Sequence, residues 1–589
     1  MTDTCAEEMV PPKPANLALE KRGATTFLGR FWGELTVLVL AITLWLPRIT
    51  GPIDLRWDAG VYYVLGTSLA QGDGYRILSE PGSPQALQYP PLLPAIVAAH
   101  QLVLGTSDWH VVAPWVRKTY AILFLCYGLA TLTLARRFLP PLLALIATVL
   151  CMFQISTIFF SDGLFTELPF ATATVLFVLV ACNREGRPNR WGRETGSFVL
   201  ATAGFLLKTI GVALFAAWSL EAFARKRWGL GLVRTMAVLV PMVAWYGYGM
   251  RVRQSYDYRH PAYEYQRAPY LFYNVSYAEN ALLADSARPE EGRITPGGMT
   301  IRIAKNVPSF LLALGETIST VRSYWDRLLN YPVRHLGRHV GNLSRLTIAP
   351  VLLLVVSVLA GLYILGQRGA ILILLIVTMS GGLICATPWP GQFQRYATPL
   401  APFLAIAASL ALLALSTKLK VIKAGVSVVS SRSIIRIVYA LFLILTLVPE
   451  LYAASQIFYF RHKSRFNASG AEGARFFFYD KDWVSLERAF AWIGQNAPGT
   501  AIVATPSSHL CYLLTGHRAV SPPVEPDPTR ARHLLESVPV SYVIVDESGF
   551  TDVSRRYARP AVESDPANWR LAFSPTARTK VYEHPAPNR

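Results

Sequence analysis

The feature that most constrains this chain is a succession of long apolar runs, separated by short basic turns and by three long polar stretches. A bilayer crossing needs about twenty mostly apolar residues, because a helix in lipid must satisfy its own backbone groups across the hydrocarbon. Runs of that kind fall near residues 31–49, 114–135, 139–157, 165–183, 196–207, 209–224, 232–250, 347–365, 369–387, 397–416 and 433–453. The runs 196–207 and 209–224 are short and poorly separated. Together they predict a polytopic α-helical membrane protein with about eleven transmembrane helices. Composition agrees: 52% of residues are hydrophobic and 16% charged, against about a quarter charged in soluble domains.

The net charge of +19 does not point to nucleic acid, because Lys and Arg gather between the apolar runs, where they set orientation. With the N-terminus cytoplasmic, the inner turns hold Arg136 and Arg137; Arg184, Arg187, Arg190 and Arg193; Arg225, Lys226, Arg227 and Arg234; Arg368; then Lys418, Lys420, Lys423, Arg432 and Arg436. Every cluster lands inside, which supports an odd number of spans and an external C-terminal region. Lys13, Lys21, Arg22 and Arg30 precede the first run without a cleavable signal pattern, so that run is expected to be a retained span. The expected location is the plasma (inner) membrane, multi-pass. Cys126, Cys151, Cys182 and Cys385 lie in or beside apolar runs, with Cys5 and Cys511 elsewhere, and offer neither a disulfide framework nor a Cys-x-x-Cys metal pattern.

The polar stretches 50–113, 251–346 and 454–589 all face outward in this topology. Residues 1–453, with the first two stretches as outer loops, read as a transmembrane module, and residues 454–589 as a small extracytoplasmic α/β domain. That domain shows a helical pattern at Leu486–Ile493, a strand at Ala501–Ala504, a helix near 507–514 and a strand at Tyr542–Val545. Its Ser507, His509 and Asp546 lack the context of a nucleophile elbow, so a lid or acceptor-docking role fits it better. The middle stretch carries Tyr256, Tyr258, Tyr263, Tyr265, Tyr270, Phe272 and Tyr273, rings suited to the headgroup layer.

Ionisable residues beside spans are costly to insert and mark candidate chemistry. Asp58 opens a segment in which Val61, Leu65 and Leu69 predict a short amphipathic helix at the interface. Asp58 is therefore either that helix's cap or a catalytic carboxylate. Asp162 and Glu167 sit at the outer end of the fourth run, where the helix dipole also favours an acid. Lys208 is held between apolar runs and Arg395 precedes the tenth; both either snorkel to the interface or hold a phosphate. These five residues come from four distant segments, and the topology brings them all to one face.

In order and spacing, Asp58 with Tyr62, Gly72-Asp73-Gly74-Tyr75, Tyr89-Pro90-Pro91, Thr166-Glu167-Leu168-Pro169-Phe170 and Arg395-Tyr396 resemble the GT-C superfamily of glycosyltransferases, especially the aminoarabinose-lipid A transferases and protein O-mannosyltransferases. The resemblance implies a GT-C membrane fold and an inverting transfer of sugar from a polyprenyl-phosphate donor to an envelope glycan, lipid or protein. It implies Asp58 as general base, Glu167 as its second acid with Asp162 as the alternative, Lys208 and Arg395 on the donor phosphate, and Tyr62, Tyr89 and Tyr396 in the substrate pocket. Relatives differ over metal: the expectation is no required cofactor, with a divalent cation, Mg or Mn, on the carboxylates as the alternative. Two departures stand out. Ala59 follows Asp58 where the mannosyltransferases carry Glu, and Gln88-Tyr89 replaces the Glu-Lys that precedes Pro-Pro in the aminoarabinose transferases. A lipid or sugar transporter or flippase is the competing reading, because many spans and buried ions suit both.

Overall fold

A helix forms on each of the apolar runs, and the breaks between helices are what position the polar residues. In the computed structural model residues 27–182, 190–286, 288–336, 347–422, 428–467, 476–547 and 552–584 are described. Cys5, Lys13, Lys21, Arg22, Arg184, Arg187 and Lys423 lie outside them. Among these residues six helices are long and apolar enough to cross a membrane, and a seventh span follows if Pro141–Phe153 and Ile155–Asp162, bent by 51°, form one crossing. Leu92–Leu104, Glu167–Ala181, Thr209–Ala224 and Ile371–Ala386 are shorter apolar helices. The protein is thus a multi-pass helical membrane protein, with six or seven full-length candidate spans among the described residues, where eleven runs are legible in sequence. The chain turns through extended backbone at Gln154 and at Lys208, splitting apolar runs into pieces shorter than a bilayer.

The first outer stretch forms the expected helix, Asp58–Gln71, but not as an amphipathic element at the interface. Every residue from Ala59 to Ser68 is buried. The helix packs on Leu92–Leu104, where a Cβ on Gly66 would fall 2.7 Å from the Val97 side chain and 2.9 Å from the Pro94 carbonyl. Only glycine permits that approach. The second outer stretch also differs from a simple loop, since it contains the helices Pro296–Thr317 and Arg322–Leu336. Pro296–Thr317 buries Phe310, Ala313 and Leu314 and packs against Ile348–Gln367 and Ile371–Ala386. Arg302, Lys305 and Pro308 interrupt its apolar pattern and hide it from a hydropathy reading.

The C-terminal region is the α/β domain its pattern predicts. Strands β1 (Val503–Ala504), β2 (Ala519–Val520), β3 (Tyr542–Val545), β4 (Arg570–Thr576) and β5 (Thr579–Glu583) form one sheet in the order β2-β1-β3-β5-β4. The β1 strand pairs parallel with β2 and β3, and β5 pairs antiparallel with β3 and β4. Helix Lys481–Asn496, capped by Asp480 through the Asp482 and Trp483 amides, and helix Ser508–Thr515 accompany the sheet. The preceding helix, Val428–Asn467, continues past residue 453.

The aromatic middle stretch serves this domain more than the headgroup layer. Tyr263, Tyr265 and Leu271 share a buried cluster with Val520, Val543 and Leu535, although Tyr256 remains exposed. The domain is also fixed to the first outer stretch. Arg56 holds both oxygens of Asp54, donates to the carbonyls of Phe477 at 2.6 Å and Phe478 at 3.3 Å, and packs over the rings of Trp57 and Trp483.

Candidate active site

Between these layers lies a cavity of about 820 Å³. Its wall includes Asp58, Tyr62, Tyr89, Lys208, Arg395 and Tyr396, six of the eight residues nominated by sequence. Asp58 arrives there because Trp57, not Asp58, occupies the cap position, with a left-handed φ of 56° and no side-chain cap bond. Asp58 is the first helical residue, and its carboxylate engages the cavity wall instead of the helix amides. Its Oδ1 accepts from the Tyr273 hydroxyl at 2.9 Å and its Oδ2 from Arg395 Nη2 at 2.8 Å. That geometry decides against the cap role, although the carboxylate still benefits from the helix dipole.

Glu167 opens the helix Glu167–Ala181 and is 1% exposed. It stands behind the cations: Oε1 accepts from Lys208 Nζ at 2.8 Å and from Arg395 Nε at 2.5 Å. One guanidinium therefore bridges Asp58 and Glu167, and Phe160 and Phe165 pack on it at 5.1 and 5.3 Å. Lys208 reaches the pair from a break between Arg190–Leu207 and the following short helix, and lies 5.3 Å from the Tyr396 ring centre. Buried ions of this kind persist only when paired, and here two cations face two carboxylates. Each cation retains bonding capacity, because Arg395 Nη1 and two of the three Lys208 ammonium hydrogens make no hydrogen bond among the described residues.

The rings of Tyr62 and Tyr89 meet at 4.6 Å, tilted by 44°, and Tyr273 extends the group at 6.0 Å from Tyr89. This aromatic face next to an acid suits a sugar ring. Asp162 is not part of the cluster. It is 2% exposed and sits 3.7 Å from Arg48 Nη1 and 3.5 Å from Arg117 Nη1. Its carbonyl accepts from the Asp54 amide at 3.1 Å, so Asp162 belongs to the latch that holds the first outer stretch against the bundle. The tail's Ser507, His509 and Asp546 do not form a triad: His509 pairs with Ser79 and Asp546 accepts from Ser554.

Sequence reasoning missed Tyr273, Glu80, Asn274 and His509 as cavity residues. A tyrosine in an aromatic-rich loop, or one acid in a turn, carries no local pattern, so only the fold could find them. The carboxylates do not form a cation cage. Magnesium or manganese needs several hard oxygen ligands, yet Asp58 and Glu167 share a guanidinium, and no three His, Cys, Asp or Glu side chains converge suitably among the described residues.

No protein-family model and no curated protein sequence matches the chain. Solved structures do. The apo oligosaccharyltransferase of Archaeoglobus fulgidus superposes with a TM-score of 0.52 at 13% identity, covering 88% of this chain and 70% of that one. The same organism's oligosaccharyltransferase AglB, in complex with an inhibitory peptide and a dolichol-phosphate, gives 0.50 at 12% identity over 88% and 70% of the two chains. ArnT from Cupriavidus metallidurans bound to undecaprenyl phosphate matches over 95% of this chain and 98% of that one, at 12% identity and a TM-score of 0.47. The two oligosaccharyltransferase superpositions show that this chain has their fold, the GT-C fold.

Proposed function

We propose that the chain is an inverting glycosyltransferase that moves a sugar from a polyprenyl-phosphate donor to a cell-envelope acceptor, working on the outer face of the plasma membrane. The observation that carries this reading is the single guanidinium of Arg395 bridging Asp58 and Glu167 in a cavity set among apolar helices. The acceptor hydroxyl attacks the anomeric carbon while its proton passes to Asp58. The bond from that carbon to the phosphate oxygen breaks, and its electron pair leaves with the phosphate. The lipid phosphate gains charge as it departs, and the unengaged donors of Arg395 and Lys208 stabilise that charge. Glu167 holds both cations in place, and so orients Asp58 through Arg395 without touching it. Attack opposite the leaving group inverts the anomeric centre. No step is routed through a metal.

The test is transfer of labelled sugar from a polyprenyl-phosphate donor by the full chain in liposomes. Asp58→Asn is expected to lower turnover by about 10² to 10⁴, the usual contribution of a general base, while the donor still binds. Wild-type turnover in that variant overturns the base assignment. Lipid that changes leaflet without sugar transfer supports the transporter reading instead.

A further inference from the structure

The cavity wall carries a second polar group, drawn from three segments and separate from the Arg395 pair. Glu80, 4% exposed, lines the cavity, and its Oε2 accepts from Asn274 Nδ2 at 2.6 Å and from the Tyr263 hydroxyl at 3.0 Å. Its neighbour Ser79 meets His509 Nδ1 at 2.7 Å. His509 comes from the C-terminal domain, is 3% exposed and lines the same cavity, and its buried Nε2 has no partner among the described residues. Tyr273 stands edge-on to the His509 ring at 4.8 Å and donates to Asp58. Two adjacent pairs, Ser79-Glu80 and Tyr273-Asn274, thus tie Glu80 and His509 to the wall that carries Asp58.

The charge pattern narrows what this corner accepts. Among the described residues Lys208 and Arg395 are the only lysine and arginine lining the cavity, and both are engaged at Glu167. Around Glu80 the wall offers a carboxylate, an amide, an imidazole and phenols, all partners for hydroxyl groups. Burial pushes the His509 imidazole down to about 3, so it adds no cation there. Arg267 stands behind Glu80, bonded to the carbonyls of Gln85 and Asn274 and outside the cavity wall, so an anion entering this corner would meet the wall's Glu80 carboxylate before any cation. A buried ring nitrogen without a partner marks a place where a ligand or water supplies one.

Resting on the glycosyltransferase reading, we propose that Glu80, Asn274 and His509 form the acceptor subsite, and that it takes an uncharged polyhydroxyl molecule such as a neutral sugar. One acceptor hydroxyl bonds Glu80 and another His509 Nε2, leaving a third at Asp58 and the ring face against Tyr273. The C-terminal domain contributes to acceptor choice through His509.

The test titrates the full chain in lipid nanodiscs, at about pH 8 where Glu80 is ionised, with two fluorescent probes: dansyl-labelled octyl glucoside and dansyl-labelled octyl phosphate. Glu80→Gln and His509→Gln are each expected to weaken the glucoside about tenfold, as for one lost bond to a charged or sealed group, and to leave the phosphate probe within about twofold. Arg395→Lys is expected to weaken the phosphate probe by about tenfold. A glucoside affinity that is unmeasurable in the wild type, or unchanged in both variants, overturns the subsite. If the glucoside depends on Glu80 while the wild type ignores the phosphate probe, the donor-phosphate reading falls and the subsite stands. Glu80→Gln preserves shape, so it carries the test alone if His509→Gln does not fold.

Discussion

Glu80 offers a measurement whose size follows from its surroundings. The side chain lies in an outer stretch, sealed from water, and burial pushes its carboxyl up to about 7 despite the stabilising bonds from Asn274 and Tyr263. In the unfolded chain it returns to about 4.5. Between those values the folded protein binds the extra proton, so stability falls as pH rises. The contribution is fully present below about pH 4.5 and is lost by the time pH has risen through about 7. At about 1.4 kcal/mol for each pH unit, the loss is about 3 kcal/mol. His509 titrates with the opposite sign, since burial lowers it and its contribution is lost as pH falls below about 6.5. Comparing wild type with Glu80→Gln cancels the His509 effect, because that residue is present in both. The assay is resistance to chemical denaturation in nanodiscs at several pH values, followed by the fluorescence of Trp483 and its neighbours. The wild type should lose about 3 kcal/mol relative to Glu80→Gln between about pH 4.5 and 7. A difference that stays flat across that window refutes the idea that Glu80 is a desolvated, proton-binding group.

Other outcomes follow from the same geometry. Arg395→Lys keeps the charge but cannot span Asp58 and Glu167, so donor turnover should fall about 10² to 10³, and unchanged kinetics would remove Arg395 from the site. Asp162→Ala leaves Arg48 and Arg117 buried without their carboxylate and should cost about 3 to 5 kcal/mol of stability. Folded Asp162→Ala protein should turn over normally, and a selective loss of turnover would return Asp162 to the catalytic set. A Cβ on Gly60 would sit 3.0 Å from the Leu55 carbonyl and 3.3 Å from His509 Cβ. Gly60→Ala should therefore speed hydrogen exchange in helix Ser508–Thr515 by about fivefold, equivalent to about 1 kcal/mol of lost docking.

Much of the fold was legible because lipid imposes one strict rule on sequence, and the rule works locally. Runs such as 347–365 announce themselves through continuous apolarity, and the α/β tail does so through alternation around Tyr542–Val545. Local pattern fails where polar residues are buried in protein instead of facing water or lipid. Pro296–Thr317 looked like loop because Arg302 and Lys305 break its pattern, yet Arg302 bonds the carbonyls of Ala281 and Ala284. Asp58–Gln71 looked amphipathic because a partner helix cannot be inferred from spacing alone.

The sequence by itself determined that the apolar runs become helices, that the chain lives in a membrane, and that Asp58, Glu167, Lys208 and Arg395 are candidates for one region, because each of those follows from local hydropathy or from charge at a span end. Only the tertiary structure decided which carboxylate meets which cation, that Asp162 is a latch, and that Glu80 and His509 join the cavity. Those choices depend on contacts between residues hundreds of positions apart, such as Arg395 with Asp58 or Ser79 with His509. Such contacts leave no periodic trace along the chain.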